Sequence, residues 1–159
     1  MDSMVKVFLE RADNEILAAE SLKRLSEEIN TKEEFKLPSK ITFYSSVISH
    51  SYYAIFYSAK AMLLTKKIKT SAPEVHKRTF DLFKTALVDT GILDVKLLEI
   101  YKEIVIKADE LLEIFREEKW KRGNFTYKTI PQANKEPAED SLNNAKIFVS
   151  NISKIIKEN

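Results

Sequence analysis

The stretch from Lys40 to Lys67 is the feature that most constrains the fold. It contains neither glycine nor proline, and it is the part of the chain richest in aromatic residues. On one helical face, short side chains recur at i, i+4, i+7, i+11 and i+14, and bulky side chains flank them on both sides. We therefore predict a central helix that neighbouring helices approach closely along this small-residue stripe, which consists of Val47, Ser51, Ala54, Ser58 and Ala61.

Composition indicates an all-α fold. The 159 residues are 44% hydrophobic, which is enough for one good core, so we predict a single domain over residues 1–159. Only two glycines and four prolines are present, which leaves little material for the turns that β-hairpins need. The formal charge of +2 neither requires nor excludes a polyanionic partner.

Apolar residues at helical spacing predict four more helices. They cover about Asp2 to Ile29, Glu74 to Val88, Asp94 to Lys121, and the segment that opens at Pro137. About five helices joined by mostly short links predict an antiparallel bundle.

Residues typical of helix ends and turns mark the predicted links between the helices. Asn30 to Ser39 is polar, and Ser39 is placed to cap the central helix. Ser71 and Pro73 indicate the start of the third helix, and Asp89-Thr90-Gly91 indicates a turn. Gly123 is expected to lie just past the end of the fourth helix, in the left-handed conformation that glycine tolerates best. The longest irregular connection is predicted from Asn124 to Glu136.

Several classes of protein are excluded by what the sequence lacks. Without cysteine there is no disulfide framework or thiolate site. The Glu-x-x-His pattern of di-iron bundles, the Walker A loop and the GxGxxG motif are all missing, so we expect no metal and no cofactor. No apolar run approaches the ~20 residues of a membrane span, and acidic residues come too early for a signal peptide. We therefore expect a cytoplasmic protein without a membrane partner.

The chain has two histidines, and both have an ordinary interpretation. His50 lies within the central helix, where a hydrogen-bonded histidine in the core or at a subunit interface is the favoured interpretation. His76 falls in the first turn of the third helix. A surface histidine is the favoured interpretation there, and contact with an anion is the alternative.

The segment KWKRGNFTYK, from Lys119 to Lys128, combines four cations with three aromatic rings. Such a mixture can hold phosphates and stack on bases. A structural explanation has about equal weight: cations complement the carbonyl end of a helix, and Trp120 and Phe125 would seal the end of the bundle.

The segment SHSYYAIFYSAKAMLL, from Ser49 to Leu64, resembles the second helix of HEPN domains. A histidine shortly after this helix (His76), a long fourth helix, an Arg-x4-Tyr pattern (Arg122 to Tyr127) and an acidic start to the last helix agree with that family. The resemblance covers nearly the whole chain. It implies an α-helical bundle, usually a homodimer, of the kind found in prokaryotic toxin–antitoxin pairs beside small nucleotidyltransferases and in ribonucleases.

Ribonuclease members of the family carry Arg, a polar residue, a few variable positions and then His, and two copies form one metal-independent site. Arg122 matches the arginine, but Gly123 replaces the polar residue and Tyr127 stands where the histidine would fall. A phenol with a pKa near ~10 is a poor base at neutral pH, so RNA cleavage ranks below binding. The resemblance implies nucleotide or RNA binding by Arg122, Tyr127, Lys119, Lys121 and Lys128, with His76 and Asn124 as further candidates.

Three functions stay open at this point. In the first, the cleft of a dimer binds nucleotide or RNA phosphates without cutting them. Alternatively, the same cleft is a metal-independent endoribonuclease in which Arg122 stabilises the phosphorane and another group is the base. In the third, the bundle is a non-catalytic partner of a nucleotidyltransferase, bound through an exposed aromatic face. The resemblance also implies that such a nucleotidyltransferase could modify Tyr127.

Overall fold

The computed structural model describes the backbone of residues 2–124 and 135–158, and the side chains of residues 2–111 and 135–158. All regular structure in this part is helical, so the all-α prediction is confirmed. The order is α1 (Ser3–Glu27), α2 (Ile29–Glu34), α3 (Tyr44–Thr65), α4 (Val75–Leu82), a π-helical turn (Phe83–Val88), α5 (Val95–Asn124) and α6 (Lys135–Glu158). The predicted count of five helices was one too low for the described residues, because the short helix α2 lies in the segment predicted as a polar link.

Helix α3 is the centre of the bundle, and it contacts α1, α4, α5 and α6. Every residue of the small-residue stripe is completely buried. Ala12 of α1 and Val149 of α6 pack together with Ala54 in that stripe, so the two neighbouring helices meet α3 where its side chains are shortest. The prediction of a central helix approached closely along this stripe is confirmed.

Helices α1 and α3 run antiparallel. Near the start of α1, the ring of Phe8 stacks on Tyr57, with ring centroids 6.3 Å apart. Farther along α1, Glu15 meets His50, which lies nearer the start of α3. This pairing sets side chains from the two helices next to each other along one outer surface of the bundle.

Aromatic rings fill the part of the core where α4, the π-helical turn, α5 and α6 meet. Tyr101 of α5 is fully buried and makes edge contacts with Phe80, Phe83 and Phe148, with centroid distances of 5.1, 5.5 and 5.9 Å. Edge-to-face aromatic pairs add about 0.5–1.5 kcal/mol each beyond the burial of their area. These contacts join α4, the π-helical turn, α5 and α6 around the inner side of α3.

The start of α3 differs from the prediction. Ser39 does not cap the helix: the residue at the cap position is Phe43, and no side chain of its own makes a capping hydrogen bond. Instead the backbone N–H of Phe43 donates to the hydroxyl of Ser26 in α1, at 2.7 Å. The Ser26 hydroxyl donates in turn to the carbonyl of Leu22, at 2.7 Å. A contact from another helix therefore marks where α3 begins.

The segment predicted as one helix from Glu74 to Val88 is divided. Helix α4 ends at Leu82, and the remainder forms the π-helical turn. Ser71 and Pro73 lie before the helix, whose cap residue Glu74 has a φ of 57° and no side-chain capping bond. The predicted turn at Asp89-Thr90-Gly91 is confirmed, and Gly91 has a φ of 76°.

Two helix boundaries in the structure also differ from the predicted ones. Helix α5 continues through Gly123 to Asn124, so the prediction that it ends before Gly123 was wrong, because a glycine permits a helix end without requiring one. Helix α6 begins at Lys135, which puts Pro137 in its first turn. Proline is tolerated there because the first N–H groups of a helix have no intrahelical partner.

No helix within the described ranges is long and apolar enough to cross a membrane. That residues 1–159 form one domain stays a prediction.

The small-residue stripe allows a matched test of stability. The Ser58 hydroxyl is buried without a hydrogen-bond partner among the described residues, whereas the Ser51 hydroxyl donates to the carbonyl of Val47 at 2.8 Å. An unpaired buried polar group costs about 1–3 kcal/mol. We expect Ser58→Ala to raise the free energy of unfolding in urea by about 1 kcal/mol. Ser51→Ala, with the same change in helix propensity, should give no such gain, and equal effects of the two substitutions would contradict this account.

Candidate functional site

Four residues of the predicted site, Lys119, Lys121, Arg122 and Asn124, lie in the last turns of α5, whereas Tyr127 and Lys128 lie outside the described residues. The side chains of six candidates lie outside the described residues, and only His76 is described in full. Asn124 belongs to α5 and not to the predicted connection after it. The six are Lys119, Lys121, Arg122, Asn124, Tyr127 and Lys128.

A surface rich in tyrosine lies on the outer side of α3. His50, Tyr53 and Tyr57 fall at i, i+3 and i+7, so they share one face of the helix. Tyr53 is 39% exposed although it is a large aromatic residue, and its ring stacks on that of Tyr57 at 6.2 Å between centroids. Arg11 of α1 and His76 of α4 border these rings on either side. We call this set, His50, Tyr53, Tyr57, Arg11 and His76, the tyrosine face.

His76 is exposed, as predicted for a surface histidine, but three aromatic residues hold its ring. It stacks on Phe56 at 4.2 Å between centroids and meets the edge of Tyr53 at 5.9 Å. Its Nδ1 lies 2.8 Å from the hydroxyl of Tyr52. Because burial raises the pKa of Tyr52, that hydroxyl keeps its proton. The position of His76 is therefore defined although its outer edge is open to solvent.

The pKa of His76 is lowered by partial burial of its ring and by the nearby charge of Lys60. The pKa of Lys60 is itself lowered, first by burial and then by the charge of Arg11. The Lys60 ammonium lies 4.9 Å from the ring centroid of Phe8 and 5.6 Å from that of Phe56, and it donates to the carbonyl of Thr70 at 3.2 Å.

Arg11 reaches the tyrosine face from α1. Its guanidinium carbon lies 5.5 Å from the ring centroid of Tyr57. In the described part of the chain, neither Arg11 nor Lys60 makes an ion pair with a carboxylate. Arg11, Lys60 and the imidazole of His76 thus form a group of neighbouring cationic or protonatable side chains, in which burial and then like charge lower the pKa of Lys60 and that of His76. A bound anion would relieve this repulsion.

A pocket of about 340 Å³ adjoins this cationic group. Phe8, Leu64 and Ile68 give it apolar walls, and Lys60 and Thr70 contribute polar groups. Ligand pockets commonly combine apolar walls with a few polar groups in this way. Lys60 therefore stands between the pocket and the tyrosine face.

His50 is paired with a carboxylate. Its Nδ1 lies 2.5 Å from Oε2 of Glu15, and the side chains of His50 and Glu15 are 36% and 25% exposed. The predicted hydrogen bond of His50 is confirmed, but the side chain is half-buried and not in the core. Its place at a subunit interface stays a prediction. A carboxylate in its usual ionised form only accepts hydrogen bonds, so Nδ1 carries a proton and Nε2 is left to face away from Glu15.

Sequence reasoning missed Arg11, Glu15 and Lys60 as candidates. Arg11 and Glu15 lie one helical turn apart on α1, which is an ordinary spacing for a solvated face. Their partners in α3 are 35 or more residues away in sequence, as with His50 and Glu15. The density of tyrosines in α3 was the one available signal. Within the described ranges, no three His, Asp or Glu side chains are grouped as a metal site would need.

The lowered pKa of His76 has a consequence for stability. An unfolded histidine has a pKa of about 6.5, so below that pH the unfolded chain binds a proton more readily than the folded one. The folded protein should therefore lose stability as the pH falls below about 6.5. We expect His76→Gln to lose less melting temperature than the wild type between pH 7.5 and pH 5.5 in thermal unfolding followed by circular dichroism. Parallel losses in both proteins would contradict the assignment.

Comparison with known proteins agrees with the helical architecture. The family model described as the HEPN domain matches residues 5–155. A protein of Methanocaldococcus jannaschii named "Putative toxin MJ0605" is 34% identical over 134 residues, which are 82% of this chain and 87% of that protein. A second, "Putative toxin MJ0142", is 36% identical over 81 residues, 48% of this chain and 53% of that protein. No solved structure matches the chain. The resemblance seen in the sequence is confirmed, and the chain belongs to the HEPN domain family.

Proposed function

We propose that this HEPN protein binds the phosphates of a nucleotide or of RNA as the toxin component of a toxin–antitoxin system. The observation that carries the proposal is the group formed by Arg11, Lys60 and His76 beside the exposed ring of Tyr53 and the half-buried ring of Tyr57. In the described part of the chain, no carboxylate is paired to the arginine or the lysine. The two M. jannaschii relatives named as toxins support the biological setting.

The electrostatic argument rests on the lowered pKa values. Burial is the first cause that lowers the pKa of Lys60 and that of His76, and the charge of Arg11 on Lys60 and of Lys60 on His76 adds to it, so each added positive charge is unfavourable in the free protein. A phosphate placed among them would reverse that penalty. Arginine also offers two parallel N–H donors to phosphate oxygens, whereas lysine adds a point charge.

The tyrosine rings offer the second contact that a nucleotide needs. Tyr53 is exposed although its neighbours Ala54 and Phe56 in α3 are buried. A base stacked on an aromatic side chain contributes about 1–3 kcal/mol, and this contact does not depend on the identity of the base. Phosphate contacts from cations and stacking on Tyr53 and Tyr57 together favour a single-stranded ligand.

The predicted motif belongs to the same proposal. Arg122 and Tyr127, with Lys119, Lys121 and Lys128, would contribute further phosphate and ring contacts in the cleft of a homodimer, where two copies of the motif meet. A small nucleotidyltransferase is the proposed antitoxin, and Tyr127 is a candidate for modification by it. These parts of the proposal rest on the family and on the sequence.

Arg11 and Arg24 allow a matched test of binding, since both lie on α1 but Arg24 is paired with Glu28 at 2.7 Å. A hydrogen bond to a charged group is worth about 1.5–3 kcal/mol, so Arg11→Ala should weaken binding of a single-stranded RNA roughly tenfold or more. Arg24→Ala should leave the affinity nearly unchanged. Fluorescence anisotropy with a labelled RNA oligonucleotide, at low and high salt and without metal, would measure both.

The same titrations test the rest of the site. Removing one phosphate contact should reduce the slope of log K against log salt by about 0.7 for a single strand. Arg122→Ala and Tyr127→Phe test the predicted motif in the same assay. If the wild type binds neither RNA nor nucleotides, or if Arg11→Ala and Arg24→Ala behave alike, the tyrosine face does not bind phosphate, and a protein partner becomes the better explanation.

A further inference from the structure

The pocket of about 340 Å³ beside Lys60 combines a partly buried cation with apolar walls. We propose that it binds a small amphipathic carboxylate, with the carboxylate on the Lys60 ammonium and an aliphatic chain against Phe8, Leu64 and Ile68. The inference goes beyond the proposed function and does not rest on it, because the pocket can be occupied whether or not the tyrosine face binds RNA.

Two distant parts of the chain form the pocket. Helices α1 and α3, which run antiparallel, contribute Phe8 and Leu64, and the segment after α3 contributes residues 68–71. At the end of α3 the chain turns: Lys67 has a φ of 61°, its N–H donates to the carbonyl of Leu64 at 2.9 Å, and the next N–H donates to that of Leu63 at 3.0 Å. This pair of bonds is a Schellman motif, and it brings the following residues back alongside α3.

The segment after α3 is held in place from two sides. The hydroxyl of Thr70 lies 2.8 Å from that of Thr79 in α4, and the Thr79 hydroxyl donates to the carbonyl of Val75 at 2.7 Å. The carbonyl of Thr70 accepts a hydrogen bond from Lys60 at 3.2 Å. A wall that is ordered before binding reduces the entropy that a ligand must remove. The pocket is therefore formed in the free protein.

The Lys60 ammonium has no carboxylate beside it in the part of the chain that the structure describes. It lies 4.9 Å from the ring centroid of Phe8 and 5.6 Å from that of Phe56, and its hydrogen bond goes to the neutral carbonyl of Thr70. An ammonium has three N–H donors, so two stay available for a ligand. Burial and then the charge of Arg11 lower the pKa of Lys60, and a carboxylate on the ligand would favour the protonated amine.

The other charges at the pocket favour a ligand with a single negative charge. Asp2 also lines it, and its carboxylate accepts the N–H of Met4 at 2.8 Å as the cap of α1. A second negative charge on the ligand would meet this carboxylate or the apolar walls, where a charge without a partner is costly. Lys69 lines the pocket too, but it is exposed, so solvent screens its attraction. A carboxylate therefore fits better than a phosphate dianion.

The apolar walls have surface left to cover. Met4, which also lines the pocket, is 47% exposed, and Phe8, Leu64 and Ile68 are half-buried. Removing apolar surface from water is favourable roughly in proportion to its area. An aliphatic chain in the pocket would cover these side chains, so the ligand needs both a charged end and an apolar body.

The test uses octanoate as the probe and isothermal titration calorimetry at constant pH and salt. Octanoate should bind more tightly than hexanoate, by up to about fourfold for each buried methylene group. Octanol has the same chain without the charge, and it should bind at least about tenfold more weakly, because it cannot form a charge-assisted hydrogen bond with Lys60. Changes in amide NMR shifts should be concentrated in residues 2–8 and 64–71.

Variants of Lys60 test the charged end of the site. Lys60→Met keeps an unbranched side chain and removes the charge, so it should weaken octanoate binding at least about tenfold. Lys66→Met is the matched control, since Lys66 lies at the end of the same helix, is exposed, and does not line this pocket. Circular dichroism would check the fold of each variant. If Lys60→Met did not fold, the comparison of octanoate with octanol on the wild type would still test the charge.

The outcomes have distinct meanings. The inference would be overturned if octanoate at millimolar concentration did not bind the wild type, or if it bound Lys60→Met equally well. Binding of inorganic phosphate as tight as that of octanoate, and dependent on Lys60, would also overturn it, because the apolar walls would then contribute nothing. None of these titrations contains RNA. Their failure would leave the proposed function intact, and a failure of RNA binding would leave this inference intact.

Discussion

The close approach of α1 and α6 to α3 is the constraint on which the remaining structure depends. It is possible because the stripe from Val47 to Ala61 carries only short side chains, all of them fully buried. Ala54 meets Ala12 and Val149 there, so three helices converge at residues with little side-chain volume. The bulky rings of α3 must then lie on its other faces. The core and the tyrosine face are two results of the same distribution of side-chain sizes along one helix.

The grouping of Arg11, Lys60 and His76 has an energetic cost in the free protein. The pKa of Lys60 and that of His76 are both lowered, because burial and neighbouring positive charges disfavour their protonated forms. Glu15 lies on the same side of α1, yet it pairs with His50 and leaves Arg11 over Tyr57. The grouping of these cations is explained if an anion from a bound ligand balances their charge.

The sequence predicted what local patterns determine. The absence of breakers and the spacing of short side chains located α3 and its buried stripe, and Gly91 marked its turn because a positive φ suits glycine. Local patterns could not predict what distant residues decide. Ser39 was the nearest capping residue before α3, but Ser26 made the hydrogen bond. The pairing of His50 with Glu15 arises only when α1 docks, so the sequence predicted a hydrogen bond for His50 but not its partner. The side chain of Arg122 lies outside the described residues.

The hydrogen bond from Phe43 to Ser26 also sets the axial registration of α3 against α1. A slide of α3 by one residue would advance it by about 1.5 Å and rotate it by roughly 100° relative to its neighbour. The hydroxyl would then lose its donor, and His50 would turn away from Glu15. A single serine near the end of α1 thus fixes the position of α3 along α1 and keeps the two halves of the tyrosine face aligned over about two helical turns.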